Sequence, residues 1–136
     1  LEIGTPETAL RARAALAVEP GTRFGLSFTA TNSGRVSTLE IDTARGEAAF
    51  LYNNDPSGAP RVAFPPSADG AYTLDLVIDP DLGLGVLYIN DFRALSFRYY
   101  RVGATTVSLF ADDGFATLDG TVSLRSTDRT EEKPNG

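Results

Sequence analysis

The 136-residue chain contains no Cys, no His, no Trp and no Met. Without Cys there is no disulfide framework and no thiolate nucleophile. Without His there is no imidazole base and no Ser-His-Asp triad, and the zinc-finger and haem-ligand sets that need either residue are excluded. Positive charge is scarce as well. Twelve Lys and Arg against eighteen Asp and Glu leave a formal net charge of −6, so a nucleic-acid backbone or an anionic membrane would be repelled rather than gathered. No apolar run approaches the ~20 residues of a membrane-spanning helix. The start, Leu1-Glu2-Ile3-Gly4, lacks the basic-then-apolar order of a signal peptide. A soluble protein is expected, secreted or cytoplasmic, since absence of Cys fits either compartment. Absence of Met, initiator included, is expected of a module from a longer precursor.

What the chain has is short apolar stretches punctuated by thirteen Gly and eight Pro. Its length and 42% hydrophobic content suit one globular domain that buries roughly two thirds of its unfolded-chain surface. Several stretches alternate with period two, the mark of half-buried strands. From Leu10 to Val18 the even positions are apolar and Arg11 and Arg13 point the other way. An alanine-rich helix competes there, but the Glu19-Pro20-Gly21-Thr22 turn and the alternating Phe24, Leu26, Phe28 and Ala30 favour two adjacent strands. Asn32-Ser33-Gly34 and Ala44-Arg45-Gly46 then make hairpin turns around a strand holding Leu39 and Ile41, with Glu47 to Asn53 returning. Residues 54 to 70 read as loop around a short Arg61 to Phe64 segment.

Tyr72, Leu74, Leu76 and Ile78 alternate most cleanly, ending at Asp79-Pro80-Asp81. Val86-Leu87-Tyr88-Ile89 is continuously apolar, as for a strand covered on both faces. Asn90-Asp91 resembles a turn that needs positive φ, and Leu95, Phe97 and Tyr99 return. Thr105 to Phe110, a turn at Ala111-Asp112-Asp113-Gly114, and Phe115 to Arg125 bring the count to about ten strands. An all-β fold follows, with antiparallel strands in a two-sheet β-sandwich of the jelly-roll or concanavalin A-like kind. A closed barrel satisfies the same pattern, but apolar residues on nearly every strand favour the sandwich. The domain spans residues 1–125. Residues 126–136 carry no apolar side chain and read as a disordered tail.

Acids are the only catalytic material. Alternation puts Glu40 and Asp42 on one face of a strand, about 7 Å apart, and a glycosidase needs two carboxyls facing one bond. The pair matches the start of the Glu-hydrophobic-Asp-x-x-Glu motif of laminarinase-like hydrolases. Ala44 and Arg45 stand where the third acid belongs, so a solvated polar strand face is the preferred reading. Asp79, Asp81, Asp112 and Asp113 lie in predicted turns that offer oxygen to calcium, yet their spacing matches no EF-hand and Asp is a good turn residue anyway. Aromatics offer a better lead, because sugar rings stack on Tyr or Phe with Asp, Asn and Arg at the edge. Arg98-Tyr99-Tyr100-Arg101 has that composition. Alternation turns Tyr99 to the core and Tyr100 outward with Arg98, where Tyr100 either meets a ligand or covers a sheet or domain contact.

The series Tyr72 to Asp79, Val86 to Asp91 and Ala94 to Tyr100 resembles the C-terminal β-sandwich of glycoside hydrolase family 32, the β-fructosidases, with its aromatic-Ile-Asn-Asp-Gly hairpin. Val107 to Ala111, Val122 to Arg125, Phe24-Gly25-Leu26 and Ile41-Asp42 extend the resemblance over most of residues 7 to 125. There are departures. Val86 stands for the family's usual Glu, Phe92 for the turn glycine, and Tyr52-Asn53-Asn54 for Asp-Arg-Ser. In the related carbohydrate-binding module family 66, acids and an Arg from those positions bind terminal fructose. The resemblance implies a noncatalytic, lectin-like accessory module that supports a catalytic propeller domain of the same polypeptide. Fructan or sucrose-like carbohydrate is its implied ligand, and a fructan- or other glycan-binding module is the alternative. The carbohydrate-binding set is then Asp42, Asn53, Asn54, Asp79, Arg98 and Tyr100, with no catalytic residue, no metal and no cofactor.

Overall fold

The computed structural model describes residues 2–4, 10–80, 82–91, 93–98, 105–112, 114, 116–118 and 123–126. Among them run twelve strands: β1 (Glu2–Gly4), β2 (Leu10–Val18), β3 (Arg23–Ala30), β4 (Val36–Asp42), β5 (Glu47–Leu51), β6 (Arg61–Ala63), β7 (Ala71–Asp79), β8 (Leu84–Ile89), β9 (Arg93–Arg98), β10 (Thr105–Asp112), β11 (Ala116–Leu118) and β12 (Ser123–Ser126). A 3-10 turn, Tyr52–Asn54, follows β5. One sheet has the order β1-β10-β3-β4-β5-β6. The other has β11-β2-β7-β8-β9, with β12 also on β2. Every pairing is antiparallel. The fold is an all-β, two-sheet sandwich, as the period-two alternation predicts.

The inner faces meet in one apolar core. Phe24, Leu26 and Phe28 of β3, Leu39 and Ile41 of β4, Leu74, Leu76 and Ile78 of β7, and Leu87 and Ile89 of β8 are all nearly inaccessible. Phe50 stacks on Phe97 at 4.9 Å, and Phe28 leans on Phe97 at 5.5 Å, so strands of both sheets share an aromatic junction. Such pairs add about 0.5–1.5 kcal/mol each beyond the area they bury. Gly85 makes room for the junction, since a Cβ there would lie 2.3 Å from the Phe97 ring.

Several expectations are corrected. β2 and β3 are not adjacent: they belong to different sheets, and the Glu19 to Thr22 turn carries the chain from one layer to the other. Alternation alone is blind to this, because an inward-facing strand looks the same in either layer. β8 is covered on one face only, since Leu84 and Tyr88 are both 40% exposed while Leu87 and Ile89 are buried. β10 runs on through Ala111 and Asp112, paired with Phe24 and Arg23, where a turn is expected. The stretch from Phe115 to Arg125 holds two short strands that share one edge of β2. β12 reaches Ser126, and β5 ends at Leu51 rather than Asn53.

The predicted hairpins otherwise form. Asn90 and Asp91 both have φ of 55°, the turn geometry that matches the twist of two antiparallel strands. Asn90 Oδ1 also accepts the Thr73 N–H at 2.8 Å, which ties the turn to β7.

Candidate functional site

The outer face of the first sheet is built by alternation. With Phe24, Leu26, Leu39 and Ile41 inside, Arg23, Gly25 and Ser27 of β3 and Thr38, Glu40 and Asp42 of β4 must face out. Register then sets their neighbours. Asp112, Arg23, Asp42 and Glu47 form one row across β10, β3, β4 and β5. Phe110, Gly25, Glu40 and Ala49 form the next, and Ser108, Ser27, Thr38 and Leu51 the third.

Small side chains in the middle of these rows leave a cleft of ≈ 340 Å³. Gly25 is required there. Its φ is +153°, and a Cβ on it would lie 1.9 Å from the Leu39 carbonyl oxygen and 3.5 Å from Cε1 of Phe110. The Phe110 ring therefore rests over the glycine and forms one wall. Arg23 Nη1 donates to Glu40 Oε1 at 3.2 Å, and Arg23 Nη2 lies 3.9 Å from Asp112 Oδ2. On the far side Thr38 Oγ1 donates to Asn54 Oδ1 at 2.5 Å. An aromatic ring thus stands beside hydrogen-bonding groups of both polarities, the arrangement that holds a sugar by its C–H face and its hydroxyl edge.

Asn54 reaches Thr38 because of the turn that carries it. Asn53 and Asn54 have φ of 54° and 57°, a conformation Asn adopts at less cost than other side chains bearing a Cβ. The Asn53 N–H donates to Ser37 Oγ at 2.9 Å, which anchors the turn on β4.

The six predicted binding residues are split between places. Asn54 lines the cleft, and Asn53 shapes its rim through the backbone. Asp42 stands on the same face one row away, only 8% exposed. Its Oδ1 accepts the Ala44 and Arg45 N–H groups at 3.0 and 3.1 Å, so it caps the turn between β4 and β5. Asp79 and Arg98 are on the other sheet, flanking Leu84 in one row of β7, β8 and β9. Tyr100 lies outside the described residues, as do Tyr99, Asp81 and Asp113.

Glu40 and Asp42 share a face as expected, yet each carboxylate is engaged, one with Arg23 and the other with the turn. Asp79 and Asp112 are in opposite sheets, and no group of three acids poised for a cation occurs among the described residues. The sequence pattern does not mark Arg23, Ser27 or Thr38 as site residues, and it marks Phe110 only weakly. One signal was available: with Val107 and Leu109 turned inward, Phe110 is an aromatic on the polar side of its strand.

The outer face of the second sheet is built differently. Asp75 points outward from β7 yet is 3% exposed, because Arg11 and Arg13 of β2 close over it. Arg11 binds both carboxylate oxygens, at 3.0 and 2.5 Å, and Arg13 adds a bond at 3.1 Å. Arg13 also grips Asp91 at 3.0 Å. Arg11's hydrogen bonds, with the charges of both arginines, hold the Asp75 carboxyl below the usual range against the opposing effect of burial.

No protein-family model and no curated protein matches the chain. Solved structures do. Congerin II, liganded with lactose and MES, superimposes with a TM-score of 0.66 at 14% identity, over 92% of this chain and 98% of that one. The carbohydrate-binding module CBM66 from Bacillus subtilis gives 0.64 at 13% identity, over 91% and 78%. The galectin LEC-6 of Caenorhabditis elegans gives 0.61 at 15% identity, over 86% and 91%. At these identities the likeness establishes the fold: the chain has the two-sheet sandwich seen in galectins and in CBM66.

Proposed function

We infer that this chain is a noncatalytic, lectin-like carbohydrate-binding module that holds a glycan in the outer cleft of the first sheet. The observation that carries this reading is the cleft itself: the Phe110 ring over Gly25, facing the Arg23–Glu40 pair and the Thr38–Asn54 pair. The same sandwich in a lactose-liganded congerin and in a carbohydrate-binding module adds support. Phe110 supplies the stacking surface, Arg23 donates to ring or hydroxyl oxygens, and Glu40 accepts from hydroxyls.

Calorimetric titration with lactose, levan, inulin, sucrose and fructose tests the reading, at protein concentrations that detect millimolar affinity. Phe110→Ala is expected to weaken any binding about tenfold while the melting temperature stays close to that of the parent. Flat traces with all five ligands would count against it.

A second reading has its own observation. Leu84, Val86 and Tyr88 make an outward apolar row on β8, a surface suited to a neighbouring domain. By the family 32 resemblance that neighbour would be a β-fructosidase propeller in the same polypeptide and the glycan a fructan. Association in trans with such a propeller, abolished by Tyr88→Asp, is the outcome this reading requires.

A further inference from the structure

The polar groups of the cleft do not treat all glycans alike. Glu40 and Asp112 only accept hydrogen bonds, and the Oδ1 of Asn54 already takes the Thr38 hydroxyl. Arg23 is the one cation lining the cleft among the described residues, and its guanidinium is shared between Glu40 at 3.2 Å and Asp112 at 3.9 Å. A bound molecule therefore meets one positive group against two carboxylates, on a chain of net charge −6.

A hydroxyl suits this surface because it donates and accepts at once. Two adjacent sugar hydroxyls can donate one hydrogen bond to Glu40 and accept one from Arg23, leaving the ion pair in place. A sugar carboxylate or sulfate group only accepts hydrogen bonds. Unless it drew Arg23 away from Glu40 it would meet only neutral donors, the Ser27 hydroxyl and the Asn54 amide, and in either case it would stand beside two carboxylates.

We propose that the cleft selects neutral glycans and rejects uronic-acid and sulfated ones, with Glu40 and Asp112 as the specificity-determining residues. This rests on the glycan-binding reading above and narrows it to one chemical class. The discrimination is local and electrostatic, so it weakens as salt rises.

Affinity electrophoresis followed by calorimetry tests it on the intact chain. The neutral polymers are levan, inulin, β-galactan, mannan and β-glucan; the acidic ones are polygalacturonate, alginate, hyaluronan and chondroitin sulfate. At low salt at least one neutral polymer is expected to bind, and every acidic one to bind at least about tenfold more weakly. Asp112→Asn, at a side chain 60% exposed, should leave the melting temperature unchanged and narrow that gap by about threefold. Glu40→Gln should narrow it further.

An acidic polymer that binds as tightly as the best neutral one overturns the charge selection and leaves glycan binding intact. So does a gap that neither substitution moves. Binding by none of the nine polymers overturns the glycan-binding reading, and this inference with it.

Discussion

Both sheets set arginine against carboxylates on their outer faces, yet the two faces differ in how completely the acids are covered. On the second sheet the acid is sealed: Asp75 is 3% exposed beneath Arg11 and Arg13, and Val77, Val86 and Tyr88 stand in the neighbouring positions. On the first sheet the cover is partial: the Glu40 side chain is 11% exposed, whereas Asp112 stays open to solvent. Asp112 is 60% exposed, the contacts to Arg23 are longer, and the adjacent positions are Gly25, Ser27 and Ala49. The same residue types thus close one surface and leave a cleft on the other. What decides is the size of the side chains one register step away, because small neighbours leave the polar groups room for a third partner.

The largest effect that separates the faces comes from Gly25→Ala. A Cβ would stand 1.9 Å from the Leu39 carbonyl oxygen, and no rotamer relieves a clash with backbone. β3 and β4 would have to part, or Gly25 leave its φ of +153°, at a cost of about 3 kcal/mol. Thermal melting should register a fall of about ten degrees, with glycan binding lost alongside. A melting temperature within a few degrees of the parent would mean that the cleft floor is pliable, and the contrast with the sealed face would weaken.

Asp75→Asn should have a smaller effect, confined to the sealed face. The substitution removes a buried acceptor from two arginines that remain half exposed and can turn to water, so the loss is about 2 kcal/mol rather than that of a fully buried pair. Acid titration gives the sign. The Asp75 carboxyl is held below its usual range in the folded state, chiefly by the Arg11 hydrogen bonds. Its contribution is therefore complete above the unfolded value of about 3.9 and is lost as pH falls through the lower folded value. Denaturant midpoints measured from pH 6 down to pH 2 should fall less steeply for Asp75→Asn than for the parent. Asp91 and Asp69 are depressed in the same direction, so part of the slope will persist. Equal slopes in the two proteins would remove Asp75 from the acid response.

Much of this fold is legible in the sequence because a half-buried strand writes its burial into every second residue. β3, β4, β7 and the Asn90-Asp91 turn can be read directly, since their core positions are large and their turns carry residues that tolerate positive φ. Pairing across the sandwich cannot. Nothing in Leu10 to Val18 says that β2 meets β7 rather than β3, because a strand with one apolar face fits either sheet. The cleft was missed for a related reason. Its residues come from β3, β4, β10 and the Asn53-Asn54 turn, which register alone brings together. Asn54 is a candidate only by resemblance, and Glu40 reads from the sequence as part of a solvated polar strand face, whereas Phe110 stands out only once its strand has an inside. Asp42 reads as a site residue by type, and its role as a turn cap depends on the backbone of Ala44 and Arg45.

The smallest expected effect is the sharpest control on the contrast between faces. Tyr88 is 40% exposed on the sealed face, in one row with Asp75, and among the described residues its ring is the aromatic of that face open to a sugar. Around it, however, Asp75 is covered, and Arg13 is already shared between Asp75 and Asp91. A sugar stacked on Tyr88 would find few polar groups to grip without opening that network. Tyr88→Ser should therefore leave glycan affinity within twofold, on the order of the 0.4 kcal/mol such a ratio represents, and should cost only about 0.5 kcal/mol of stability at an exposed strand position. Paired with Phe110→Ala under identical titration conditions, it asks which aromatic a glycan meets. Loss of binding in Tyr88→Ser with retention in Phe110→Ala would move the site to the opposite sheet and reverse the roles assigned to the two faces.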